Sequence, residues 1–195
     1  MRPRKVTEED LLKHAVGLIE TGGFENLSLH KLSDKLGIKP ASLYNHITGL
    51  ADLKQRLGAE AKRAFVEALQ KQVGDQVGKD GIHAYVDSYV SYADEHPEMF
   101  LAMISLPDKG LETDGSEREI GRVFENVTSV FALSHQEAQN LRRSFMSLAR
   151  GYFVLNRADI SSKPLRKKNR DALDYTIGLI LGYLEKQKTP ELAEI

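Results

Sequence analysis

The sequence predicts an all-α protein of about nine helices, in which an N-terminal three-helix domain with a helix-turn-helix precedes a larger helical bundle. Three observations predict it. Apolar residues recur at spacings of three and four along almost the whole chain. The strict alternation of half-buried strands is missing, and glycines and prolines punctuate the ends of the periodic stretches.

Taken in order, Thr7 is a suitable N-cap, and Glu8, Glu9 and Asp10 sit where the positive end of a helix dipole favours them. The stripe Leu11, Leu12, Ala15, Val16, Leu18, Ile19 follows, and Gly22-Gly23 stops it. Ser28 caps a second helix with Leu29, Leu32 and Leu36 inward, which Gly37 ends after two turns. A third short helix, 39–46, has Pro40 in its first turn. Leu29, Leu32, Leu36, Ile38, Leu43 and Ile47 supply a small core, covered from behind by Leu12, Val16 and Ile19 of the first helix. A longer helix runs from 50 to 73, and 74–81 reads as a linker. Helices are then expected over 82–95, from Pro97, over 117–131, over 134–158 with Ser134 as cap, and from after Pro164 to about 186. The stretch 107–116 reads as a loop, and 189–195 as a short tail.

Composition bounds the function. At 195 residues with 41% hydrophobic and 28% charged residues, the chain can bury roughly 70% of its unfolded surface. The absence of cysteine removes disulfides, thiolate metal sites and thiol nucleophiles. No apolar run approaches the ~20 residues of a membrane span, and the basic start Arg2, Arg4, Lys5 leads into acidic residues rather than a signal-peptide core. A soluble, cytoplasmic protein without membrane contact is expected. The six histidines show no metal-ligand spacing, no phosphate-cradling glycine loop follows a strand, and Gly-x-Ser-x-Gly is absent. An enzyme, a metal and a cofactor are therefore not expected. The net charge of −1 is uneven: residues 1–56 carry nine Lys/Arg against seven Asp/Glu, and 57–195 carry 18 against 21. The basic bias falls on the segment with the helix-turn-helix.

The run from Gly22 to His46, GGFENLSLHKLSDKLGIKPASLYNH, resembles the DNA-binding domain of the tetracycline-repressor (TetR) family over about residues 5–55. It has the glycine-aromatic loop, the Leu-Ser-Leu opening, the Leu-Gly-Ile turn and the Leu-Tyr-x-His close. The remainder is similar to the family in helical layout, and Tyr92–Phe100 in a turn of its ligand-binding domains. The resemblance implies a DNA-binding domain over 1–49 and a ligand-binding and dimerisation domain over 50–195. It implies that Ser28 caps the second helix beside a phosphate, and that Lys39, Pro40, Ala41 and Ser42 lead the recognition helix. Tyr44 and His46 would then contact phosphates, and Asn45 a base edge. Hydroxyl, imidazole and backbone N–H groups donate to phosphate oxygens, and Asn pairs with adenine. For the residues themselves, Tyr44 as a half-buried core aromatic and His46 as a solvated helix end stay open, as does a solvated tail for Arg2, Arg4 and Lys5. The chain departs from the family at Leu50, where a lysine is usual; Lys54 is the candidate substitute.

A single recognition helix reads few bases, so a homodimer on a palindromic double-stranded operator is expected. Candidate interface residues are Leu148, Tyr152, Leu155, Ile177, Ile180, Leu181 and Leu184, with intramolecular core as the alternative. Candidate pocket residues for an unknown small-molecule effector are Tyr89, Tyr92, Phe100, Met103, Phe124, Phe145, Met146 and Arg150, with plain core as the alternative for the aromatics. Arg150, inside an apolar run, calls for an anionic or polar partner. The function expected is a repressor released by its effector. The alternative is a helical ligand-binding or interaction protein with a vestigial DNA-binding head, for which Leu50 speaks.

Overall fold

Helices account for the regular structure of the computed structural model, which describes residues 6–105, 115–158 and 163–187. The arm Arg2–Lys5, most of the expected 107–116 loop and the tail 189–195 lie outside the described residues. Two compact units emerge. Among the described residues, one comprises 6–65 together with 95–105, the other 66–94 together with 115–158 and 163–187.

The first unit begins with α1 (Glu8–Gly22), capped by Thr7, whose hydroxyl accepts from the Asp10 N–H at 3.1 Å while the Asp10 carboxylate accepts from the Thr7 N–H at 3.2 Å. Leu11, Ala15 and Ile19, spaced by four, form its buried stripe. After a 3-10 turn (Phe24–Asn26) comes α2 (Leu29–Leu36), closed by Gly37 at φ +67°, with the Ile38 N–H reaching back to the Ser33 carbonyl at 3.0 Å. α3 (Pro40–Leu43) is a single turn, shorter than the 39–46 expected. Beyond Leu43 the chain tightens: Asn45 and His46 bond to carbonyls three residues back, at 3.3 and 2.9 Å. That tightening carries Ile47 into the core beside Leu43 and Leu32. Of the expected core, Leu32, Leu43, Ile47 and Ile19 are fully buried; Leu12, Val16, Leu29, Leu36 and Ile38 are half-buried.

α4 (Leu50–Val73) contributes its first four turns to this unit and the rest to the other, so the unit reaches past the expected boundary at residue 49. It also takes in α6 (Pro97–Ile104), which packs on α1 and on the 3-10 turn. The Glu98 carboxylate there accepts the Phe24 N–H at 2.6 Å. Asp52 fastens the start of α4: it accepts from the Thr48 N–H at 2.7 Å and takes the Arg56 guanidinium through both oxygens, at 2.8 and 3.2 Å. Arg56 also pairs with Glu8, which ties α4 to α1.

The second unit contains the end of α4, α5 (Gly78–Glu95) up to its last residue, α7 (Ser116–Thr128), α8 (His135–Ala158) and α9 (Lys163–Leu184). α5 starts four residues earlier than expected, because Gly78 at φ +65° turns the chain directly into the helix. Tyr85, Phe124 and Phe145 meet edge to face in its core, with centroids 5.0 and 6.1 Å apart. Ser134 precedes α8 in a reciprocal cap with Glu137. Arg170 of α9 holds Asp174 at 2.8 Å and Asp87 of α5 at 2.6 Å.

The Arg56 guanidinium, through its hydrogen bonds, holds the Asp52 carboxyl below the usual carboxylate range. A depressed carboxylate contributes stability that is complete above its unfolded pKa and lost as pH falls through the folded value. Asp52→Asn is therefore expected to lower the urea midpoint at pH 7, with the gap to the parent closing as pH drops below about 4.

Candidate nucleic-acid interface

The helix-turn-helix sets one exposed strip on a buried wedge. Leu43 is fully buried and Ile47 is 2% exposed. Between and before them, Lys39, Pro40, Ala41 and Asn45 are exposed, Tyr44 is 60% exposed, and Ser42 and His46 are half-buried. Tyr44 is thus an outward aromatic, not a core one. Ser28 is the α2 cap, its hydroxyl accepting from the Lys31 N–H at 3.3 Å. The strip offers an ammonium, a phenol, an imidazole and a carboxamide within eight consecutive residues, the donor set for phosphate oxygens and base edges.

Lys54 is placed differently. Its ammonium lies 4.7 Å over the Phe24 ring and 3.8 Å from Glu25, a cation–π and ion-pair seat inside the first unit. The sequence offered only its position one turn after Leu50. The aromatic neighbour comes from a loop 30 residues earlier, and no spacing rule connects the two.

On the last two helices the expected interface set divides. Tyr152, Ile177, Leu181 and Leu184 are buried within the chain, Leu148 and Ile180 are half-buried, and Leu155 is 53% exposed. The four buried residues are core of the second unit, which corrects their assignment to an intersubunit surface. The outward apolar residues are Val154, Leu155, Tyr175, Leu179 and Tyr183, alongside the exposed Gly151, Gly178 and Gly182. The exposed apolar face of α9 lies beside the buried one, because both faces of α9 are apolar.

The candidate pocket residues also divide. Phe100 and Met103 belong to α6 in the first unit; Tyr89, Tyr92, Phe124, Phe145, Met146 and Arg150 belong to the second. Phe100, Phe124 and Phe145 are fully or almost fully buried, Tyr89, Tyr92 and Met103 are buried, and Met146 is half-buried. Arg150 is half-buried. Arg142, one face along from it, has a side chain that is 17% exposed and bonds Glu117 of α7 at 2.6 Å. The inward face of α8 runs 145, 149, 152, 156. On α5 the Tyr85 and Tyr89 hydroxyls lie 3.3 Å apart; burial raises both phenols, Tyr89 to about 12, so both are neutral donors at physiological pH. A groove at the end of α4, lined by Gln70, Val73, Arg122, Val123 and Asn126, contains none of the expected pocket residues.

No protein-family model matches the chain. It is similar to an uncharacterised HTH-type transcriptional regulator of Mycobacterium tuberculosis, 25% identical over 156 residues, covering 79% of this chain and 72% of that protein. It is 27% identical over 157 residues to the uncharacterised HTH-type transcriptional regulator YobS of Bacillus subtilis, covering 80% and 82%. Among solved structures, a TetR variant from Acinetobacter baumannii in complex with minocycline matches it with a TM-score of 0.69 at 12% identity, over 95% of this chain and 99% of that one. The fold is that of the TetR regulators, as the resemblance implies.

The wedge and the strip separate on mutation. Leu43→Ala is expected to cost about 2–5 kcal/mol in urea unfolding. Tyr44→Ala is expected to stay within about 0.5 kcal/mol of the parent.

Proposed function

We propose that the chain is a homodimeric, TetR-like DNA-binding transcriptional regulator, a repressor that leaves a palindromic operator when a small-molecule effector binds. The observation that carries the reading is the outward strip Lys39–His46 mounted on the buried Leu43 and Ile47. Ser28 at the α2 cap and the strip's Lys39, Tyr44 and His46 position the head on phosphates, Asn45 reads a base edge, and Pro40, Ala41 and Ser42 pack against the groove. Lys54, over Phe24 and 3.8 Å from Glu25, would add a phosphate contact from the first turns of α4.

Dimerisation supplies the second recognition helix, about 34 Å or a multiple away. The outward faces of α8 and α9 support it: Leu155 and Leu179 give apolar area, and Gly151, Gly178 and Gly182 allow close helix approach. The second unit receives the effector, and release follows from unequal effector affinity for the DNA-competent and DNA-free states. The similar proteins are named as regulators, not as enzymes. Among the described residues no helix is long and apolar enough to cross a membrane, which accords with a cytoplasmic protein acting on chromosomal DNA. The seat of Lys54 together with Leu50 favours, as the second reading, a ligand-binding protein with a vestigial head.

Selection from a random duplex library, at stated salt, decides between them. The regulator enriches a palindrome, and the vestigial head enriches nothing. On the enriched site Tyr44→Ala is expected to weaken binding to all variants alike, whereas exchange of Asn45 changes which base is preferred at one position; equal loss on every variant would remove Asn45 from base readout. Leu155→Glu with Leu179→Glu is expected to yield folded monomers in sedimentation velocity, and an intact dimer would place the interface elsewhere.

A further inference from the structure

The 3-10 turn between α1 and α2 is held by side chains from three helices of the first unit. The Glu98 carboxylate of α6 accepts the Phe24 N–H at 2.6 Å, a charge-assisted, part-buried bond across 74 positions of the chain. The Lys54 ammonium of α4 lies over the Phe24 ring and beside Glu25. On the α2 side, the Lys31 ammonium donates to the Asn26 carbonyl at 3.1 Å, and the Lys31 N–H donates to the Ser28 hydroxyl at 3.3 Å. The turn is also braced from within: the Asn26 N–H reaches the Gly23 carbonyl at 3.1 Å, and its carboxamide donates to the Gly22 carbonyl at 2.9 Å. A path of hydrogen bonds therefore runs from α6 through Phe24, Asn26 and Lys31 to Ser28, the cap of α2. A part-buried N–H needs an acceptor, and for Phe24 that acceptor comes from α6, not from the helix-turn-helix. Lys54 has no acceptor to offer in its place.

We infer that Glu98 is a positioning residue for DNA recognition: without reaching DNA itself, it sets through the Phe24 turn where Ser28 and the start of α2 stand against the phosphates. The inference rests on the proposed reading of the chain as a DNA-binding regulator. Phosphate contacts fix the register in which base edges are read. With no oxygen at the Phe24 N–H the turn shifts, and the α2 cap shifts with it. The loss falls on the sequence-specific complex, which needs the register. Non-specific binding draws on charge alone and tolerates the shift. The property that matters at position 98 is the reach of an acceptor oxygen, ahead of its charge.

The test compares Glu98→Ala, Glu98→Asp and Glu98→Gln in the full-length chain. Each is titrated, at one salt concentration, with the palindrome enriched from the duplex library and with a random-sequence duplex of equal length. Glu98→Ala is expected to weaken palindrome binding about tenfold and random-duplex binding less than about twofold. Glu98→Gln keeps an acceptor oxygen at the same reach and is expected to keep the preference for the palindrome. Glu98→Asp keeps the charge, withdraws it by one methylene, and is expected to lose most of that preference. In amide hydrogen exchange Glu98→Ala is expected to speed exchange at Phe24 and Lys31, and Glu98→Gln to leave it near the parent. A purely structural role would lower binding to both duplexes together. The inference is overturned by equal loss on both duplexes, by no loss in Glu98→Ala, by Glu98→Gln losing as much as Glu98→Ala, or by unchanged exchange at Phe24 and Lys31. Should Glu98→Ala fail to fold, the order of Glu98→Gln above Glu98→Asp still decides. A parent chain that enriches no palindrome overturns the regulator reading and this inference with it. A parent that enriches one, with Glu98 variants that keep its full preference, overturns this inference alone.

Discussion

A one-turn helix has no stability of its own, and the segment from Lys39 to His46 depends on what lies beneath it. Helix nucleation in water is unfavourable, and four residues gain too few hydrogen bonds to overcome it. Leu43 and Ile47, drawn into the same core as Leu32 and the α1 stripe, impose the conformation instead. Burial of such a side chain contributes about 1.5–3 kcal/mol, enough to hold a short segment whose intrinsic preference is weak. The exposure of Tyr44 and Asn45 follows from that burial, because the residues next to an inward Leu43 in a tight turn have only the solvent side left to them.

The head is also held from elsewhere in the chain. Glu98 of α6 satisfies the Phe24 N–H, and α6 packs on α1, so a helix late in the sequence completes a domain whose other parts lie at its start. The bidentate pairing of Arg56 with Asp52 sets the angle at which α4 leaves the turn. In the second unit Arg170 does similar work between α9 and α5. Each of these ion pairs is partly solvated, and such pairs contribute at most about 1 kcal/mol. Their role is to fix orientation more than to add stability.

Much of the architecture was legible in the sequence because helix signals are local. The caps Thr7, Ser28 and Ser134, the stop at Gly37 and the bounds of α4 depend on residues within one or two turns, and the structure has them where the spacing predicts. The end of α3 was less legible. Its early tightening reflects the pull of Ile47 toward a core made of other helices, which no local pattern encodes. The same limit explains Lys54, whose seat on Phe24 is a contact across 30 residues.

The sequence by itself determined the all-helical class, the helix-turn-helix and the residues of the exposed strip, since periodicity, capping and the TetR-like run are written in consecutive positions. Only the tertiary structure decided which of two apolar faces of α9 is core, that Arg142 of α8 pairs with Glu117 of α7, and that α6 joins the first unit. The physical reason is that a helix with apolar residues on more than one face has no single inward side until its neighbours are in place. Burial, unlike hydrogen bonding within a helix, belongs to the whole assembly of elements and not to the segment.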